Sequence, residues 1–234
     1  LWTREVIAAD LDARYWAFAR HSVLLAGIGA LLVVAVSLLL AYAGRQCPGT
    51  AMLWTQRLAT LGYAFPGAVL AVGLFIPVAA LDNGLIDIGR AWFGFDGTEI
   101  LKGTLAVMLL AYLVRFLAVG FGPIDSGLHR ITRNVDEAAH NLGAGSAGLL
   151  ARVHLPMLRA SLLTAATFAF VDIMKEMPIT LMTRPFGWDT LAVRVFEMTS
   201  EGEWERAALP ALAIVIVGAI PIILLTRRTA RPHD

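Results

Sequence analysis

The apolar positions of this chain fall in long continuous runs, neither at the two-residue period of a half-buried strand nor on one stripe of a surface helix. Val23–Ala43 carries no charge, and neither does Leu58–Leu81. Gly103–Gly122 is interrupted only by Arg115. Ala160 to about Thr183 is charged only towards its far end, at Asp172, Lys175 and Glu176, and Ala207–Thr226 is uncharged. A membrane-spanning helix needs about 20 mostly apolar residues, so the pattern predicts an all-α polytopic bundle of about five spans. A membrane barrel would instead show alternating strands of about ten residues. The second run contains Gly62, Pro66, Gly67, Gly73 and Pro77. Proline removes a helix hydrogen bond, and such breaks survive in lipid only where neighbouring helices satisfy the freed backbone. This span is therefore expected to face the bundle interior.

The runs divide the chain into a pre-membrane segment at 1–21, a membrane domain at 22–228 and a short tail at 229–234. Trp2, Tyr15 and Trp16 suit the headgroup region, so 1–21 is expected to lie along the interface. Two long polar segments, 123–159 and 184–206, join the third to the fourth span and the fourth to the fifth. The Lys and Arg residues split evenly between the two sides, so the positive-inside rule leaves the orientation open. The basic tail (Arg227, Arg228, Arg231) leans towards the cytoplasm.

Composition narrows the class. Of 234 residues, 58% are hydrophobic and 16% charged, against about 25% charged in soluble domains, and the mean hydropathy is +0.69. The formal net charge of +1 gives no reason to expect nucleic acid. One cysteine, Cys47, excludes a disulfide scaffold. Arg4, Glu5, Asp10, Asp12, Arg14 and Arg20 precede any apolar run, so no signal peptide is read there. With Leu1 in first place, the chain is expected to be a piece of a longer polypeptide.

The segment 123–159 is the most informative. It contains Asn134-Val-Asp136-Glu137-Ala138-Ala139-His140-Asn141-Leu142-Gly143, and further on Arg152-Val-His154-Leu155-Pro156. Asn134 is expected to cap a short helix with Glu137 as its reciprocal partner. Ala138 and Ala139 leave the backbone open to close approach, and Gly143 suits a left-handed turn. Ser146 is expected to cap a second helix, and Pro156 to set the start of the next span. An ordinary capped loop helix would read the same way.

Glu137-Ala138-Ala139, Gly143 and Leu155-Pro156 at this spacing resemble the EAA loop of permease subunits of bacterial ATP-binding-cassette (ABC) importers. Lys175-Glu-Met-Pro178, Thr180-Leu181, Arg184-Pro-Phe186, Asp189-Thr-Leu-Ala-Val-Arg194 and Leu61-Gly-Tyr-Ala-Phe-Pro66-Gly67 are similar to stretches of ferric-iron permeases, and the likeness covers roughly residues 20–228. His21-Ser22 and Met177 depart from the usual family residues. The resemblance implies a MetI-like importer-permease core, corresponding to the C-terminal half of a two-half permease. It implies a multi-pass protein of the bacterial inner membrane, working with a cytoplasmic ATP-binding subunit, a second permease half and a periplasmic substrate-binding protein. It makes Glu137, Ala138, Ala139, Gly143, Leu155 and Pro156 the ATPase-coupling loop and ferric iron the cargo. Other cargoes (polyamine, thiamine, an oxyanion) and a secondary transporter without ATP remain alternatives.

No GxxxxGK[S/T] loop is present, so ATP and magnesium belong on the partner. No Ser/His/Asp or Cys/His grouping suits an enzyme, and His129, His140 and His154 lack metal-ligand spacing, so neither cofactor nor resident metal is expected. The charges within spans are costly, about 2.5–3.5 kcal/mol each at the helix centre, which makes Arg115, Asp172, Lys175 and Glu176 candidates for the translocation pathway. Asp172 and Glu176 are expected on one face near the outer end of the fourth span, either lining the mouth or pairing locally at the interface.

Overall fold

The computed structural model describes residues 13–94, 97 and 99–229, and every regular element among them is helical. The helices are α1 (Ala13–Gln46), α2 (Thr50–Ala59), α3 (Gly67–Phe93), α4 (Leu105–His129), α5 (Arg133–Asn141), α6 (Ser146–Leu149), α7 (Leu155–Met174), α8 (Pro178–Thr183), α9 (Leu191–Ser200) and α10 (Trp204–Thr229). A tight turn at Leu61–Ala64 lies between α2 and α3, and a wide π-helical turn at Leu150–His154 joins α6 to α7. Five helical stretches are long and apolar enough to cross a membrane, within Arg14–Gln46, Gly67–Trp92, Leu105–His129, Ser146–Met174 and Trp204–Arg227.

The count of five agrees with the hydropathy pattern, but three boundaries differ for physical reasons. Residues 13–21 are helical and run unbroken into the helix of the first span. Trp2 and all of the tail except Thr229 lie outside the described residues. The second apolar run is not one helix. It breaks after Ala59, passes through the tight turn at Leu61–Ala64 and restarts at Gly67, with Pro66 in the cap position. The fourth run stops at Met174 and restarts as α8 at Pro178, which takes the first helical position, where no N–H is needed.

The core is built from α1, α4 and α7. Leu25, Ala26, Ala30 and Val33 of α1 meet Met108, Ala111, Tyr112 and Phe116 of α4 and Ala169, Ile173 and Met174 of α7. Nearer the loop side, Ala41, Ile124, Leu128, Leu158 and Ala165 continue the packing. Lipid tails are as apolar as leucine, so close van der Waals contact between small residues drives such packing. At Gly120 an added Cβ would lie 2.7 Å from both Ser37 Oγ and Val33 Cγ1. By contrast α10 presents Val215, Ile216, Ile220 and Leu224 outwards, with only 11% of its most apolar window buried, which suits hydrocarbon.

The same substitution should therefore have opposite effects at two helical glycines. Gly120→Ala overpacks the α1–α4 crossing and is expected to cost about 1–3 kcal/mol. Gly73→Ala, with no atom within 4 Å of the new methyl, is expected to gain up to about 1 kcal/mol from helix propensity. Thermal unfolding of the purified protein in detergent measures both; equal shifts would contradict this packing.

Candidate functional site

Two clusters bring together the residues that sequence reasoning selected. The first is the loop between α4 and α7. Its helix starts two residues earlier than the Asn134 cap predicts: Thr132 precedes it without a side-chain cap bond, and Asn134 is the second helical residue. Ser146 likewise opens α6 instead of capping it, since Gly145 takes the cap position. The helix ends at a left-handed Gly143, φ 83°. Gly143 N–H donates to His140 O at 2.9 Å and Ala144 N–H to Ala139 O at 3.0 Å, the paired bonds of a Schellman turn. Glu137, Ala138 and Gly143 are exposed, whereas Ala139 is buried against the bundle. Leu142 is 88% exposed, an apolar tip on a polar loop. Leu155, half-buried, and Pro156, exposed, open α7.

What holds this loop to the bundle was not legible as a site. Asp136 Oδ2 accepts from Arg45 Nε at 2.7 Å, and Asp136 Oδ1 accepts from the fully buried His154 Nε2 at 2.8 Å. Asp136 lies 91 residues from Arg45 and 18 from His154, and that separation in the chain hides the cluster. Burial works against ionisation of Asp136. The hydrogen bonds from Arg45 and His154, with the Arg45 charge, outweigh it and hold the carboxyl below its ordinary value of 3.8.

The second cluster lies where the two helix breaks meet. Arg115 is about 15 Å along α4 from Leu105 and about 21 Å from His129 at about 1.5 Å per residue, so it sits in the middle of its span. Its Nε donates to Glu176 Oε2 at 3.2 Å, and its Nη1 to the Phe65 carbonyl at 2.5 Å. Phe65 O is one of the acceptors freed by the break before α3. Glu176 Oε1 accepts from Ile179 N–H at 3.2 Å, closing the start of α8. Gly67 opens α3 beside them; a Cβ there would lie 3.0 Å from Glu176 Oε1. The carboxylate thus sits against the N-terminal ends of two helices, where the backbone dipole favours negative charge.

Asp172 and Glu176 do not share a helix face as their spacing predicts, because α7 ends between them. Glu176 turns inwards, 8% exposed, while Asp172 takes Lys175 Nζ at 2.8 Å and Tyr63 OH at 3.2 Å. The break follows Met174, at the end of the fourth candidate span, and lies level with Arg115 of α4. Tyr63 and Asp172 also line a cavity of about 320 Å³ with Ala118, Val119, Phe168, Val171 and Ile222. Among the described residues no group of three or more His, Cys, Asp or Glu side chains could hold a metal ion.

On the opposite side, the polar segment after α8 is tied to α1. His21 stacks on Trp188 at 4.5 Å and its Nδ1 lies 3.3 Å from Asp189 O, while Ser22 Oγ accepts from Leu191 N–H at 2.8 Å. His21, one of the departures from the family pattern, thus has a packing role.

No family model matches the chain. Over 220 residues it is 26% identical to the Fe(3+)-transport system permease protein FbpB 2 of Haemophilus influenzae, covering 94% of this chain and 40% of that protein. Over 175 residues it is 31% identical to the putative 2-aminoethylphosphonate transport system permease protein PhnV of Salmonella typhimurium, covering 74% of this chain and 60% of PhnV. The chain thus spans less than two thirds of the length of either relative. A chain in the crystal structure of a bacterial alginate ABC transporter, in complex with an alginate pentasaccharide-bound periplasmic protein, superimposes with a TM-score of 0.76. It matches over 99% of this chain and 83% of that chain at 12% identity. The resemblance to ferric-iron import permeases is borne out, and so is the expected fold: a multi-pass, all-α bundle with the architecture of an ABC importer permease.

Two measurements test these clusters. Arg115→Met leaves Glu176 buried without its counter-ion, at an expected cost of about 3–5 kcal/mol, whereas the double change Arg115→Met with Glu176→Leu should recover much of the loss; unfolding midpoints in detergent read both. The lowered carboxyl of Asp136 adds stability that is complete above its ordinary value and is lost as pH falls through the lowered one. The midpoint of the parent protein should therefore fall more steeply in acid than that of Asp136→Asn.

Proposed function

We propose that this chain, with the fold of an ABC importer permease, is the membrane-spanning part of an ATP-driven importer whose cargo is ferric iron. The observation that carries the reading is the short helix α5. It is solvent-facing at Glu137 and Ala138, ends on the exposed Leu142–Gly143 turn and is clamped to the ends of the core helices. A partner docking there would move the bundle from outside it. Ala138 lets a second backbone approach closely, and Leu142 supplies the apolar contact that a polar loop otherwise lacks. ATP and magnesium would be held by that cytoplasmic partner; this chain contributes Glu137, Ala138 and Gly143 to the docking turn, with Ala139 packed inwards beneath it, and Leu155-Pro156 to its junction with α7. A second permease half and a periplasmic cargo-binding protein complete the assembly in the inner membrane, with lipid around α10.

The pathway residues come from the second cluster. Arg115 and Glu176 neutralise each other and hold the two breaks together, leaving the Tyr63–Asp172–Lys175 group beside the cavity as the polar surface a passing ion would meet. Hard ferric ions prefer oxygen ligands, and Asp172 with Tyr63 offers oxygen without the closed ligand set that would trap a cargo. The likeness to FbpB 2 supports iron. The likeness to PhnV favours a second reading, a phosphonate-type anion. A carrier working without ATP would also use broken helices, but the exposed turn of α5 has no use in it.

Glu137→Lys and Gly143→Asp are expected to abolish co-purification of the ATP-binding subunit from membranes, while the chain still inserts; retained binding would refute the docking role. Uptake of radiolabelled ferric iron into cells should fall to background when the gene is deleted. Unchanged iron uptake, with loss of 2-aminoethylphosphonate uptake, would move the cargo to the second reading.

A further inference from the structure

We propose that Asp136 is a positioning residue, the joint through which a push on α5 reaches all three core spans at once. The inference rests on the reading of α5 as the docking helix and goes beyond it to name how the motion is passed on. Asp136 holds two elements by separate oxygens. Oδ2 takes Arg45 from the last turn of α1, and Oδ1 takes His154 from the turn that feeds α7. The same Arg45 guanidinium donates to the carbonyls of Leu128 at 2.7 Å, Ile131 at 2.9 Å and Thr132 at 3.3 Å, and so also grips the end of α4. One carboxylate thus gathers the loop-side ends of α1, α4 and α7.

Little else attaches α5 as firmly. Its apolar contribution is the buried methyl of Ala139 and the partly buried Val135, whereas bonds to charged groups are roughly twice as strong as neutral ones. The second support for the proposal is the π-helical turn at Leu150–His154. A single wide turn inside an α-helical run adds a residue and rotates the helix beyond it, and such turns recur at functional positions. Here it brings His154 inwards to Asp136. On the other side of the ring, Nδ1 is buried without a hydrogen-bond partner among the described residues, and the rings of His154 and Tyr42 meet edge-on with centroids 5.5 Å apart. Tyr42 OH in turn donates to Ser146 O at 2.7 Å, tying the start of α6 to α1. The arrangement is rigid in compression and depends on Asp136 at its centre.

The test uses the assembled importer, with its ATP-binding subunit and second permease half, in lipid nanodiscs. Cys47→Ser removes the native thiol, and Ala118→Cys reports on the cavity beside Tyr63 and Asp172. In the parent, adding ATP is expected to change the rate at which a maleimide labels position 118. With Asp136→Asn the subunit should still co-purify and hydrolyse ATP, but the ATP-dependent change in labelling should be lost. Asp136→Glu, which keeps a carboxylate for Arg45 and His154, should restore it. An Asp136→Asn importer whose labelling still responds to ATP overturns the proposal. So does loss of assembly and hydrolysis together that Asp136→Glu does not rescue, since that marks a merely structural role. A parent that binds the subunit but shows no response to ATP withdraws the joint while leaving docking intact; failure of docking itself appears separately, as Glu137→Lys retaining the subunit.

Discussion

A guanidinium in the middle of a membrane span is the constraint around which this bundle is organised. Arg115 would be expelled from hydrocarbon if it stood alone. It is held because it meets two needs that arise elsewhere in the chain: the Phe65 carbonyl left open where α2 and α3 are separated, and the Glu176 carboxylate between α7 and α8. Each break would be intolerable in lipid by itself. Together they are mutually satisfied, and the aromatic rings of Tyr63 and Phe116, 5.9 and 5.8 Å from the guanidinium, complete its surroundings.

A similar economy operates at the loop-side ends of the spans. There Arg45 serves three carbonyls and Asp136, and Asp136 in turn serves His154. Both nodes use an arginine because its planar fork addresses several acceptors at once, which a lysine ammonium does less well. The apolar packing of α1, α4 and α7 supplies a stiff body between the nodes, with small residues where the helices cross. In the proposed function one node lies beside the cargo path and the other behind the surface where a partner would press. A close-packed body of three helices resists compression, so a displacement imposed at one end is carried towards the other.

Much of the fold was legible because its signal is local. Twenty uncharged apolar residues in a row say the same thing wherever they stand, so the five spans and the loop helix with its left-handed Gly143 could be read directly. The proline and glycine positions of the second run marked a weakness correctly, but not that it was a full break. The four-residue spacing of Asp172 and Glu176 puts them on one face only if a helix runs through both; Pro178 is the signal against it. Ala139 looked as open as Ala138, and only the direction of α5 against the bundle separates the buried methyl from the exposed one.

What the sequence determined alone is therefore the class of molecule and the local shape of its loop: hydropathy over a span's length and turn chemistry at Gly143 need only neighbours in the chain. What the tertiary structure decided is which charges are partners. Arg115 and Glu176 are 61 residues apart, and Arg45 and Asp136 are 91 apart. Side-chain chemistry makes each of them a candidate for any opposite charge, and only the packing of α1, α4 and α7 brings one particular partner within hydrogen-bonding distance.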